Sequence, residues 1–217
     1  MTVTATTLPL CPAFPVRDNP PAESAAARKV IDGLRMQPHG EGGFFTETDR
    51  DPLLVPSLFL LTLASASALA PPRPGFDPAL RNASTSIYYL LTPGSPQGYF
   101  HRNRGRTVHT LHRGRGRYVI IHADEPDRRV ETFVVGHDIA AGERLQWVVE
   151  GGKFKASFLL PDRDATGAEA GISEGLLISE TVVPGFEYCD HDFLVKEDLP
   201  GLVGEKMAKE LAWLVRE

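Results

Sequence analysis

The chain has little cysteine. Cys11 and Cys189 are the only two in 217 residues, so neither a disulfide framework nor a cysteine-built zinc ribbon can be assembled, and a reducing, cytoplasmic setting is expected. Positive charge is not in surplus either. A formal net charge of −5 argues against a nucleic-acid partner, because non-specific affinity for a phosphate backbone comes mostly from cations. Gly40, Gly42 and Gly43 fit no G-x-x-x-x-G-K phosphate loop, so no nucleotide-binding loop is expected. The opening MTVTATTLPLCPAFPVRDNP lacks a basic region followed by an apolar run and does not read as a secretory signal. One segment tempts a membrane reading: LLVPSLFLLTLASASALA, Leu53 to Ala70, has no charge. Pro56 interrupts it and it barely reaches the roughly 20 apolar residues a spanning helix needs, so no membrane span is expected, rather a buried or lid-like helix or part of a dimer contact.

What is abundant is punctuation: 20 Gly and 18 Pro favour many turns and short strands over a helical bundle. Residues 1–23 read as an irregular arm and 24–217 as one domain. Its first element is a short helix with Ala27, Val30, Ile31 and Leu34 on one face, stopped near Pro38. GEGGFFTETDR turns on glycines into a strand, and an apolar insertion covers residues 53–78. Eight β-branched and aromatic runs follow, STSIYYLL, GYFHRN, RTVHTLH, RYVIIHA, VETFVVG, RLQWVVE, FKASFLL and LLISETVV, with turn residues and no helices between them. Such a pattern predicts a mainly β fold, an antiparallel sandwich or barrel. A closing helix over about 202–216 carries Val203, Met207, Leu211 and Leu214 or Val215 on one face, to lie against the outside of the β domain.

One segment stands out, HRNRGRTVHTLHRGRGR, His101 to Arg117, with three histidines and six arginines. Arg104-Gly105-Arg106 and Arg113 to Gly116 read as hairpin turns, which puts most of these arginines at loop tips in solvent, a basic rim able to attract an anionic substrate. Arg102 is expected to pair with a carboxylate such as Glu131 or Asp138.

Five motifs carry a resemblance: HGEGGFFTET (His39 to Thr48), STSIYYLL (Ser84 to Leu91), Phe100-His101-Arg102, Ala141-Gly142-Glu143-Arg144 and Val183-Pro184-Gly185-Phe186. In order and spacing the chain resembles the cupin superfamily and, within it, the Cupin_5-type family, from about Val30 to Phe193. The resemblance implies a double-stranded β-helix, the jelly-roll barrel, commonly a homodimer, with a small-molecule pocket inside. It also implies the places of the metal ligands of metal-dependent cupins: His101, Asn103, Thr107 and Lys155 stand there, one ligand of four. No cofactor is therefore favoured. A divalent metal, if bound, would use His101, His109 and Glu47 as a two-His, one-carboxylate site.

On the pocket face that the family pattern implies, Thr107, His109 and Leu111 alternate, and His109 and His112, three apart on a strand, point to opposite faces. The expected catalytic set is His101, His109, Lys155 and Glu47. Imidazoles move protons near neutral pH, and a buried Lys155 could act as acid, base or oxyanion clamp. Glu41, Tyr88, Tyr99, Asn103 and Thr107 are the expected substrate contacts, with Glu41 also read as a cap on the Gly-Gly turn and Tyr88 also read as core. His112, His122, His137 and His191 are expected at the surface or in structural roles. The layout is similar to that of nucleotide-sugar 3,5-epimerases, metal-free cupins in which a barrel His and Lys remove a proton and stabilise an enolate. Metal-independent proton transfer, as in an isomerase, epimerase, cyclase or lyase, is the expected chemistry. A metal-dependent oxygenase or decarboxylase and a non-catalytic binding protein are the alternatives.

Overall fold

The computed structural model describes residues 10–16, 22–59, 71, 73–164 and 166–216. Helix α1 (Ala25–Gly33) leads into strands β1 (Gln37–Pro38), β2 (Phe44–Arg50), β3 (Leu54–Pro56), β4 (Leu80–Asn82), β5 (Thr85–Leu91), β6 (Gln97–Asn103) and β7 (Arg106–Arg113). Strands β8 (Gly116–Ile121), β9 (Val130–Val135), β10 (Gln146–Val149), β11 (Phe154–Leu159), β12 (Leu176–Val183) and β13 (His191–Phe193) follow, then helices α2 (Leu199–Val203) and α3 (Glu205–Leu211). All eight β runs expected from the sequence form, as β5 to β12. They build two facing antiparallel sheets, ordered β1-β2-β5-β12-β7-β10 and β13-β6-β11-β8-β9, the jelly-roll barrel of the cupin fold.

Strand alternation divides each sheet into an inner and an outer face. On the outer face of the second sheet Phe100, Val119, Ile121, Phe154, Ala156 and Phe158 meet Leu199, Ala208, Leu211, Leu214 and Val215 from the C-terminal segment. The outer face of the first sheet meets α1 through Leu90, Ile31 and Met36. Inside, Tyr89, Leu111, Tyr118, Ile120, Trp147, Leu159 and Ile178 fill one end of the barrel. Polar side chains occupy the other end, and that division positions the site.

Three expectations change. The closing helix is two short helices and a 3₁₀ turn rather than one span, because Gly204, at φ 78° and ψ 158°, cannot continue a helix. The uncharged run at Leu53 opens not as a helix but as β3, paired antiparallel with β4, while residues 60–70 and 72 lie outside the described residues. Not all hairpin arginines are solvated: Arg115 is buried on Glu143 and Arg117 is buried as well. Arg102 pairs with Asp192, its neighbour across β6 and β13, at 2.8 Å. No helix among the described residues is long and apolar enough to cross a membrane.

Candidate active site

The glycine turn before β2 creates the site. Gly42 and Gly43 have φ of 99° and 69°, a region that side chains disfavour. A β-carbon on Gly42 would also collide with the Gln97 carbonyl, and one on Gly43 would lie 2.6 Å from the Leu90 carbonyl oxygen. The turn is pinned where Tyr89 OH donates to Gly42 O (2.8 Å), Gly43 N–H donates to Ser95 Oγ (2.8 Å) and Tyr99 N–H donates to Glu41 O (2.7 Å). Its effect is to drive Glu41, only 8% exposed, into the barrel.

Glu41 gathers imidazoles. His191 Nε2 lies 2.8 Å from Oε1 and His101 Nε2 lies 3.2 Å from Oε2, with the two rings stacked at 5.2 Å. His101 Nδ1 sits 2.8 Å from the Tyr99 carbonyl, which only accepts, so Nδ1 carries the proton and the Nε2 lone pair of the neutral ring faces Glu41. His39 Nδ1 accepts the Glu41 backbone N–H at 3.1 Å. Burial works to raise the Glu41 carboxyl, but His101, His39 and His191 outweigh it and hold the group below the usual carboxylate range. Burial, against the pull of Glu41 and aided by Lys155, pushes His101 down to about 3.

A second cluster adjoins the first. Lys155 on β11 stands opposite His101 on β6 and is only 3% exposed. Its Nζ is 2.6 Å from Glu180 Oε2 and 2.9 Å from His109 Nε2. An ammonium only donates, so His109 Nε2 accepts and His109 is neutral. Burial and then Lys155 hold its pKa down. Trp147 stacks on the His109 ring at 5.1 Å. Burial opposes ionisation of Glu180, yet Lys155 and His109 keep its pKa well below normal.

An inner cavity of about 50 Å³ is lined by Glu41, Glu180, His39, Asn103, Thr85 and Val182. It continues through Phe45, Glu47, Arg73 and Tyr188, which line both spaces, into an outer vestibule of about 460 Å³. Of the expected residues Glu41 and Asn103 line the inner cavity, while His101, His109, Lys155 and Thr107 are buried without lining it. Asn103 donates to Thr107 at 3.4 Å, and its buried Oδ1 has no partner among the described residues. Glu47 is exposed at the mouth, paired with Arg50 at 2.9 Å and Arg73 at 3.0 Å. Tyr88 faces outward against α1 and the His112 ring, while Tyr89, one residue on, points inward. Tyr99 acts through its backbone, where the β6–β11 register shifts.

Sequence reasoning missed His191, Glu180 and His39. Glu180 had a signal: in Leu176, Ile178, Glu180 and Val182 it is the one charge on the buried alternation of β12. His191 sits on a strand of three residues, too short to show periodicity.

Among the described residues, Glu41, His101 and His191 offer one ligand atom each within 4.8 Å of one another. This set fits a divalent cation that takes N/O ligands. The Tyr99 carbonyl orients His101 as an outer partner orients a metal-bound imidazole, and its free Nε2 lone pair lies at the carboxylate. The triad differs from the His101, His109 and Glu47 set of the sequence expectation, because His109 is committed to Lys155 and Glu47 to Arg50 and Arg73.

A jelly-roll barrel with imidazoles and carboxylates at one end of its interior defines a cupin. Residues 28–194 match the Cupin_5 family, described as cupin superfamily (DUF985), and the chain belongs to that family. It is 44% identical over 204 residues to the uncharacterized protein YML079W of Saccharomyces cerevisiae, covering 94% of this chain and 92% of that one. Among solved structures it is similar to a hypothetical protein from Leishmania major, with TM-score 0.67, 28% identity and coverage of 88% and 99% of the two chains. A protein of Shewanella oneidensis is similar too, with TM-score 0.64, 25% identity and coverage of 88% and 97%.

Proposed function

We propose that this chain is a small-molecule enzyme that uses the barrel chamber for metal-independent proton transfer on an oxygenated metabolite, as an isomerase, epimerase, cyclase or lyase. The observation that carries this reading is the buried Lys155 ammonium, opposite His101 on the neighbouring strand. Two of its three N–H groups are spent on Glu180 and His109, and the third has no acceptor among the described residues. A fixed cation in a dry site stabilises charge that develops on a substrate carbonyl oxygen. His101 Nε2 takes a proton from the carbon beside that carbonyl, the C–H electron pair moves into the enolate, and the oxygen charge rests on Lys155. Return of the proton to carbon gives an isomer or epimer, and expulsion of a β-substituent gives an alkene. His109, accepting from Lys155, orients the ammonium.

Incubation in D₂O with a panel of hydroxy-aldehydes, 2-oxo acids and lactones, read by NMR, tests this. Wild-type protein should wash deuterium into one position of at least one compound class, and His101→Asn should lose the exchange at least a hundred-fold. Equal exchange by His101→Asn would contradict the reading.

A second reading rests on the Glu41, His101 and His191 triad. Those three residues would hold a divalent ion, which when bound supplies Lewis acidity to a substrate oxygen. Under that reading Lys155 and Asn103 still orient the substrate. Cobalt(II) titration separates the two: visible bands that vanish in Glu41→Gln favour the metal, and their absence in the wild type removes it.

A further inference from the structure

The vestibule outside the chamber carries an uncompensated cation. Four charges there cancel in pairs: Arg50 lies 2.9 Å from Glu47 and 3.1 Å from Glu187, while Arg73 lies 3.0 Å from Glu47 and 3.7 Å from Glu187. Arg35 lines the same space, is exposed, and has no side-chain partner among the described residues.

Its backbone is equally out of the ordinary. Arg35 follows the C-cap of α1 in the left-handed region, φ 54°, one of two non-glycine residues with positive φ among the described residues. The bonds from Arg35 N to Asp32 O (3.2 Å) and from Met36 N to Ile31 O (2.8 Å) complete a Schellman ending, with Met36 and Ile31 in one apolar cluster. Glycine occupies that seat without strain, whereas a β-carbon there is disfavoured. The chain thus keeps an arginine where a glycine would relieve the helix end. A strained residue beside a cavity is a reason to ask what its side chain holds.

The chamber supplies the third observation. At about 50 Å³ it admits only the reacting end of a molecule, so the rest of a substrate must lie in the vestibule of about 460 Å³.

We infer that the vestibule seats an anionic group of the substrate, a carboxylate or phosphate, and that Arg35 is the residue that receives it. A guanidinium presents paired donors that match either anion. This rests on the chamber being the reaction site, and it defines the substrate class as an oxygenated molecule with its reacting carbonyl at one end and an anion at the other.

Binding of inorganic phosphate and, separately, of malonate to the full chain, followed by calorimetry and by the shift of the Arg35 Nε–H NMR signal, tests it without turnover. At least one anion should bind the wild type, and the one that binds names the group. Arg35→Gly should weaken that binding at least ten-fold while the melting temperature stays level or rises, and Arg28→Ser, an exposed change on α1, should alter nothing. Unchanged binding in Arg35→Gly, or no binding of either anion to the wild type, would overturn the inference. Exchange activity without anion binding would sink this inference alone. Anion binding in a protein without exchange would leave the seat and remove the catalytic reading.

Discussion

The two buried clusters both set a carboxylate among imidazoles and differ in how its charge is met: Glu180 faces an ammonium, Glu41 does not. Around Lys155 the charges are matched: the ammonium donates to Glu180 and His109 and a +1 charge meets a −1 charge, although one ammonium N–H and His109 Nδ1 have no partner among the described residues. Around Glu41 the carboxylate meets imidazoles rather than an ammonium, and His191 Nδ1 is buried without a partner among the described residues. His191 reaches the carboxylate with a hydrogen bond, whereas His101 presents a lone pair to it at 3.2 Å. A self-sufficient ion pair is a fixed electrostatic element. An unsatisfied lone pair is a place to receive a proton or a cation. Under the proposed proton-transfer reading, the contrast suits Lys155 to stabilising charge and His101 to moving it.

Breaking the matched cluster should have the largest effect. Lys155→Met leaves Glu180 as an unpaired buried carboxylate and should cost about 3–5 kcal/mol, while Lys155→Met with Glu180→Leu should recover most of it. Denaturant unfolding of the two variants checks this, and equal losses would show that the pair is not the source.

Acid should separate the clusters next. Burial leaves His101 at about 3, below its unfolded value near 6.5, and His109 and His39 are lowered as well. Below pH 6.5 the unfolded chain takes protons that the folded chain refuses. The stability His101 contributes is complete above that value and is lost as pH falls toward 3, and His109 and His39 act in the same direction. Glu41 and Glu180 act in the same direction below about pH 4.5, since their folded values are depressed. His101→Asn should flatten the slope between pH 6 and 4 by about one proton, as read from unfolding free energies across that range.

The smallest effect should come from the unmatched cluster. In Glu41→Gln the amide can donate to His101 Nε2 and its oxygen can still accept from His191, so stability should change by less than about 1 kcal/mol. A larger loss in thermal unfolding would mean that the carboxylate charge itself holds the site together.

Much of this was legible in the sequence, and for physical reasons. Strands of six to eight residues, such as β5, β7 and β12, display a full alternation between turn residues. Their existence follows, while the inward phase of Thr107, His109 and Leu111, which are buried, came from the family resemblance. The buried place of Lys155 came with its motif position. What stayed hidden depended on contacts distant in the chain. Glu41 and His191 are 150 positions apart and meet because a glycine turn and a three-residue strand close over the same end of the barrel. Tyr88 takes the core place of its two expected ones, beside α1, and Tyr89 turns inward instead, because one position of strand phase decides which face a side chain meets. Glu47 lies on the expected strand, but Arg50 and Arg73 hold it at the mouth, and Arg73 lies within the proline-rich end of the 53–78 insertion, whose path no periodicity encodes.

The most direct test of the central claim compares deuterium exchange by one protein before and after exhaustive chelation, with Lys155→Met measured alongside. Exchange that changes less than two-fold on chelation and falls at least a hundred-fold in a folded Lys155→Met is the expected result. Exchange that vanishes with the chelator and returns on adding a divalent ion would contradict it.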